Sequence, residues 1–145
     1  MKIEVDTVRF GRIEVSQENI VLFPKGLIGF EHLKRFVLLD SQKGPSIQWL
    51  QAVDDPGIAF LVSDPKTFLP HFEVSPARTD CNQGHTAIRA LGPPKMLTLL
   101  HVDREKNLLH IHVQAPLLLD PVSRMGVQVV TDAETPSVSI PLKAT

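Results

Sequence analysis

Apolar residues recur at every second position along much of this chain, and the runs are short. Ile3, Val5 and Thr7 alternate with charged neighbours, and Ile13 and Val15 repeat the rhythm after Gly11. Period-two alternation sends one face of a strand to a core and the other to water, so these segments predict an opening hairpin. Ile20, Leu22 and Pro24 continue in the same way. Between Phe30 and Leu39 the pattern is mixed. Phe30, Leu33 and Val37 share a helical face while Phe36 to Leu39 is an unbroken apolar run, which predicts one helical turn entering a strand. Ile47 to Val53 and Ile58 to Val62 are apolar runs joined by Asp54-Asp55-Pro56-Gly57, a turn sequence, and predict a hairpin with an exposed joint.

The rhythm fades from Pro65 to Pro94. Ser75 to Gly84 is polar and without period, which predicts a surface loop holding Cys81. His85 to Leu91 predicts a short helix stopped by Gly92 and two prolines. Leu97 to Val102 and Leu108 to Gln114 are strands around the charged turn Asp103 to Asn107. Leu117 to Leu119 and Val127 to Val130 complete the set, and 136–145 is expected to be a tail with one extended piece at Val138 to Ile140. With 12 prolines and 8 glycines spread along it, the chain has little room for long helices. The fold class expected is mainly β: a small antiparallel β-barrel or sandwich of short strands with one or two short helical segments.

Composition narrows the setting. A length of 145 residues, 43% hydrophobic and 21% charged, fits one domain with its own core. A formal net charge of −1 gives no overall field for nucleic acid or an anionic membrane. The single cysteine, Cys81, has no internal disulfide partner and suits a reducing compartment. Acidic residues at the start, where a signal peptide needs an apolar stretch, point to the cytoplasm. No coiled-coil or long edge-strand pattern asks for a dimer, so a monomer is expected.

The candidate chemistry is sparse. His101, His110 and His112 fall on adjacent strands and invite a metal reading, which depends on register. If Leu109, Ile111 and Val113 meet Leu97 and Leu99, His110 stands opposite Leu100 and His112 opposite Thr98, with His101 on the other face. Only a slip of one residue would bring His101 opposite His110. The expectation is therefore a solvated polar face with no metal and no cofactor; the alternatives are a metal-dependent hydrolase using His110, His112 and a carboxylate such as Asp54, or a β module that binds an unrelated ligand. Asp54 and Asp55 read first as turn residues and second as part of a partner contact beside Trp49 and Phe60. Cys81 and His85 have the types of a nucleophile and base, yet no oxyanion donor stands near them in sequence, and an inert thiol is the simpler reading. There is no phosphate loop, nucleophile elbow or zinc-type helix motif, so an enzyme is not expected. Trp49 is the only tryptophan and there is no tyrosine; its default place is the core. Phe68 and Phe72, among prolines, are candidates for an apolar groove edge.

Four stretches share the pattern of one known family. Phe23-Pro24-Lys25-Gly26-Leu27-Ile28-Gly29-Phe30, Trp49-Leu50-Gln51 running into Asp55-Pro56, Ala59-Phe60-Leu61-Val62-Ser63-Asp64-Pro65, and Ala115-Pro116 with Arg124, Gly126 and Gln128 downstream resemble, in this order, the FliW family of flagellar assembly factors. The resemblance implies a cytoplasmic, non-catalytic β protein that binds flagellin. When free of flagellin it binds the translational regulator CsrA and relieves repression of flagellin messages. Carried over to the matching exposed positions, the interaction candidates are Lys25, Glu31, Asp54, Asp55, Asp64 and Arg124, with Phe68 and Phe72 added for their apolar area. Gly26, Gly29 and Gly126 are expected at turns with positive φ. The chain departs from the family at His110-Ile111-His112-Val113-Gln114 and over 73–94, and it is near neutral where members are often acidic. Imitation of RNA by a broad negative potential is thus disfavoured against an allosteric action on CsrA, which needs a coupling of only about 1–3 kcal/mol.

Overall fold

The computed structural model describes residues 1–41, 47–70, 95–120, 122–131 and 137–142. Within them β1 (Lys2–Thr7) and β2 (Gly11–Ser16) form the expected opening hairpin, with Ile3 opposite Val15 and Val5 opposite Ile13. A single 3₁₀ turn, Gln17–Asn19, leads into β3 (Ile20–Leu22), and tight turns lead on to β4 (Arg35–Asp40). The Asp54-Asp55-Pro56-Gly57 turn joins β5 (Ile47–Ala52) to β6 (Ala59–Ser63), as its sequence predicts. A second 3₁₀ turn, Pro65–Thr67, follows. The remaining strands are β7 (Lys95–Asp103), β8 (Leu108–Asp120), β9 (Met125–Gln128) and β10 (Ser137–Pro141).

Strands β8, β7, β6, β5, β4, β3 and β9 are neighbours in that order, and β9 pairs back onto β8, so seven strands close a barrel. The expected barrel of short strands is therefore the fold. Every pairing is antiparallel except the one between β3 and β9, which is parallel and consists of Leu22 with Met125. The interior holds Phe23, Phe36, Leu50, Ala52, Val62, Leu97, Leu117 and Leu119, with Phe23 and Phe36 edge to face at 5.5 Å. Outside it, Val5 and Val15 of the opening hairpin cover Ile20 and Val37, and Leu100, Leu109, Ile111 and Val113 form a third cluster.

Strand β8 explains where pattern reading and structure part. It is one strand of 13 residues, not the two segments expected on either side of Pro116. Leu97 pairs with Leu117 and Leu99 with His112, so a single β7 residue, Thr98, faces four β8 residues from Val113 to Pro116. Pro116 has no N–H to give a ladder, and β8 bulges away from β7 there. The carbonyls of Gln114 and Pro116 instead accept from Thr131 and Val129, at 2.7 and 3.0 Å. The bulge turns Leu117 and Leu119 into the barrel, while Leu109, Ile111 and Val113 face the outer cluster.

The histidine register is corrected accordingly. His101 is opposite His110, Leu100 opposite Ile111 and Leu99 opposite His112. Strand β7 is apolar on both faces, Leu97 and Leu99 toward the interior and Leu100 and Val102 toward the outer cluster, so alternation does not select a register. The extended piece at Val138 to Ile140 is β10, which pairs with the first half of β8. The expected loop at Ser75 to Gly84, the helix at His85 to Leu91, Cys81 and Phe72 lie outside the described residues.

Gly126 also differs from expectation. Gly26 and Gly29 do have positive φ, at 67° and 88°, but Gly126 does not. It is required for space: a Cβ there would lie 2.6 Å from Leu119 Cδ2 and 2.7 Å from the Phe23 ring. Phe23 is fully buried and has nowhere to go. Gly126→Ala is expected to destabilise the fold by about 1–3 kcal/mol, the usual cost of overpacking. Urea unfolding would read this as a lower midpoint with an unchanged slope.

Candidate protein-contact surface

The loop between β3 and β4 is built from local necessity. Phe23 and Leu27 are buried, which anchors its first half in the barrel. At Gly26 the chain turns with positive φ, and a Cβ would meet Glu31 Cα at 2.6 Å, so only glycine fits. Phe30 N donates to the Leu27 carbonyl at 2.7 Å, and Leu33 N to the Phe30 carbonyl at 3.0 Å. These turns replace the helical turn expected there. Phe30 packs edge to face on Phe60 at 5.3 Å. Gln128 completes the lock: its Oε1 accepts from Ile28 N at 2.7 Å and its Nε2 donates to the Ala115 carbonyl at 2.9 Å. A long-range side-chain amide thus clamps the loop to β8 and β9.

What the locked loop presents is apolar and charged. Ile28 is 63% exposed on backbone that is held at its own N–H. Lys25 and Glu31 are exposed on the same loop. Glu31 Oε2 accepts from Gly29 N at 3.1 Å, and that backbone N–H holds the carboxyl below its usual range.

Asp54 and Arg124 border a second region. Arg35, which pattern reading did not single out, donates to Asp54 through Nε at 3.1 Å and Nη2 at 2.5 Å, a bidentate pair. This hydrogen bond with Arg35 holds the Asp54 carboxyl below its usual range. Arg35 and Arg124 both line a shallow cavity of about 430 Å³ whose walls include Ile3, Ile20 and Leu22. Arg124 adopts φ 60°, uncommon for a residue with a Cβ. Its carbonyl accepts from Leu22 N at 2.9 Å, and its N–H donates to Asp120 at 2.8 Å, so the turn that puts Arg124 at the cavity is fixed at both ends.

The other candidates are spent on local structure. Asp55 Oδ1 accepts from Gly57 N at 3.0 Å, which is turn chemistry. Asp64 caps the second 3₁₀ turn by accepting from Lys66 N at 2.9 Å. Phe68 packs half-buried on the outer cluster, well away in topology from the locked loop. Structure thus pairs Asp54 with Arg35, sets Arg35 and Arg124 on the walls of one cavity, groups Lys25 with Glu31 and leaves Asp64 and Phe68 apart. Gln51, fully buried, holds the Asp54–Gly57 turn by donating from Nε2 to the carbonyls of Ala52 and Ile58 at 3.0 and 3.2 Å. Trp49 is not in the core: it is half-buried on the outer side of β5, with the Arg9 guanidinium 3.9 Å from its ring centroid. The signal missed was parity, since Leu50 and Ala52 already take the interior face. Among the described residues no helix is long and apolar enough to cross a membrane.

A closed barrel filled by its own side chains, with loops locked against it from outside, defines a small β-barrel domain that offers surface, and known proteins share this design. A crystal structure of the flagellar assembly factor FliW superposes with a TM-score of 0.80 over 99% of both chains at 24% identity, a likeness of fold. A family model described as FliW protein matches residues 4–142. Flagellar assembly factor FliW 2 of Desulfotalea psychrophila is 31% identical over 136 residues, 92% of this chain and 87% of that protein. Flagellar assembly factor FliW of Syntrophotalea carbinolica is 32% identical over 145 residues, 94% of this chain and 95% of that protein. The chain belongs to the FliW family of flagellar assembly factors.

The Asp54–Arg35 pair carries a pH signature. Because folding lowers the Asp54 pKa, its contribution is present above the unfolded carboxyl value of about 3.9 and is lost as pH falls through the lower folded value. Both side chains are about half exposed, so the contribution is that of a screened surface pair, about 0–1 kcal/mol. Asp54→Asn is expected to be slightly less stable than the parent at pH 7 and equal to it once pH is below the lowered folded value. Denaturant midpoints across that range would check it; a constant difference at all pH values would contradict it.

Proposed function

We propose that this chain is a non-catalytic cytoplasmic adaptor that binds flagellin and, when free of it, binds CsrA and relieves repression of flagellin messages. Membership of the flagellar assembly factors implies protein partners in assembly, and the two named partners are the finer part of the reading. The observation that carries it is the locked loop. Glycines at 26 and 29 and the Gln128 clamp fix its backbone, so that Ile28 stands exposed between Lys25 and Glu31 before any partner arrives. A pre-ordered apolar anchor between charges of both signs loses little entropy on docking and suits the centre of a protein interface. Arg124, with Asp54 held by Arg35, supplies a second charged border for the same contact, while Asp55 and Asp64 act through the turns they cap.

Competition between partners follows if flagellin occupies the face that CsrA needs. Relief of repression then requires that binding to CsrA weaken its hold on RNA, the allosteric form of the mechanism. No turnover is involved, and the effect is stoichiometric.

Titration calorimetry of the purified chain against CsrA, alone and after saturation with flagellin, tests the reading. The expected outcome is defined stoichiometry with CsrA and its loss in the presence of flagellin. Ile28→Asp, at an exposed position whose N–H bond to Gln128 survives, is expected to weaken at least one partner tenfold or more, as truncated anchors do. Absence of binding by either protein at micromolar concentration would overturn the reading, and full affinity in Ile28→Asp would move the contact off this loop.

A further inference from the structure

The β7–β8 hairpin carries a cluster that the contact surface does not use. Asp103 and His101 lie on one face of β7, and the observed register puts His110 and His112 on the same face of β8. Ser139 of β10 stands opposite His110. The His101 and His110 rings stack with centroids 5.8 Å apart and planes 15° from parallel. His110 Nδ1 is 2.7 Å from Ser139 Oγ, and His110 Nε2 is 3.7 Å from Asp103 Oδ2.

We propose that this face binds a divalent transition metal of the zinc(II) class, with His110 Nε2 as the central ligand and Asp103, His101 and His112 as its companions. Two histidines at i and i+2 on one strand, with a third on the neighbouring strand, project imidazoles from one surface, which is the donor type such ions take. In the tautomer that carries its proton on Nδ1 and donates it to Ser139, Nε2 keeps its lone pair for the ion and the ring orientation is fixed, the usual role of an outer partner. The separation of His110 from Asp103 is close to the roughly 3.3 Å between two ligands of a tetrahedral ion with bonds of about 2.0 Å. Among the described residues no three such groups already surround one point. Exposed His101 must therefore turn out of its stack to complete the set, and the ion assembles its own site. Bound there, it ties β7 to β8 and, through Ser139, secures β10 at the sheet edge.

Calorimetric titration of zinc(II) into the metal-free 145-residue chain tests this. One ion per chain in the micromolar range is expected, weakened tenfold or more in His110→Gln and measurably in His101→Gln, with His32→Gln unchanged. His101 is exposed, so its variant decides the matter if His110→Gln does not fold. No binding above the buffer blank overturns the proposal. So does binding of equal strength in the His101 and His110 variants, which would assign the ion to His71, His85 or Cys81.

Discussion

The barrel exists because β9 can lie between β8 and β3, and that depends on the close approach of Gly126 to Phe23. No side chain fits at 126, since Leu119 and the Phe23 ring already fill the space. Phe23 in turn packs on Phe36 and begins the loop that Gln128, two residues beyond Gly126, clamps. Closure of the sheet, filling of the core and placement of the exposed loop are therefore one constraint seen from three sides. A sheet left open at β9 would expose two edges, and the single parallel pair of Leu22 with Met125 could not hold it shut without the packing behind it.

Two glutamines carry out the polar half of this design. Gln128 is the clamp between a loop and a bulged strand, and Gln51 the clamp between β5 and its own turn. A neutral amide suits both places because it brings no charge into a buried or partly buried setting; Gln128 donates and accepts at once, while Gln51 donates from Nε2 and leaves its buried Oε1 without a hydrogen-bond partner. Backbone carbonyls that a bulge or a tight turn would leave unpaired are satisfied in this way, and the loops gain order without hydrophobic cover of their own. The family stretches thus turn out to be mostly architectural. Phe23, Gly26, Leu27, Gln51, Gly126 and Gln128 shape the surface, and residues between them, Ile28 above all, are left exposed on it.

Much of the fold could be read in the sequence because most strands show one apolar face. The β1–β2 and β5–β6 hairpins follow from alternation and from Gly11 and Asp54–Gly57. Where a strand is buried on both faces, alternation is silent. That is the case for β7: meeting Leu97 and Leu99 with Leu109 to Val113 gives a register one residue away from the observed pairing of Leu100 with Ile111. The apolar pattern predicts separate segments at Leu108 to Gln114 and Leu117 to Leu119, yet they form one strand, because a bulged strand tolerates Pro116 where its ladder lapses. Residue type alone points Trp49 to the core, while its parity with Leu50 and Ala52 points it outward. Of the candidate site, charges were legible as charges, yet their partners were not: Arg35 reaches Asp54 across 19 positions, and only the fold brings them together.

This distribution of charge bears on how recognition works. Asp54 is paired with Arg35, Asp55 and Asp64 accept from backbone N–H groups, and Glu31 accepts from Gly29. With acidic groups engaged locally and a net charge of only −1, the surface offers no broad field to draw in a basic partner or to stand in for RNA. Affinity must then come from short-range complementarity, an ordered apolar residue in a ring of satisfied polar groups. Such contacts lose effect with small changes of shape, which is why the proposed action on CsrA is given its allosteric form and not that of an RNA mimic. In the proposed contact, loop order would matter more than loop charge: a mobile Ile28 would have to be ordered on docking, a cost that the hydrogen bond from Ile28 N to Gln128 reduces beforehand.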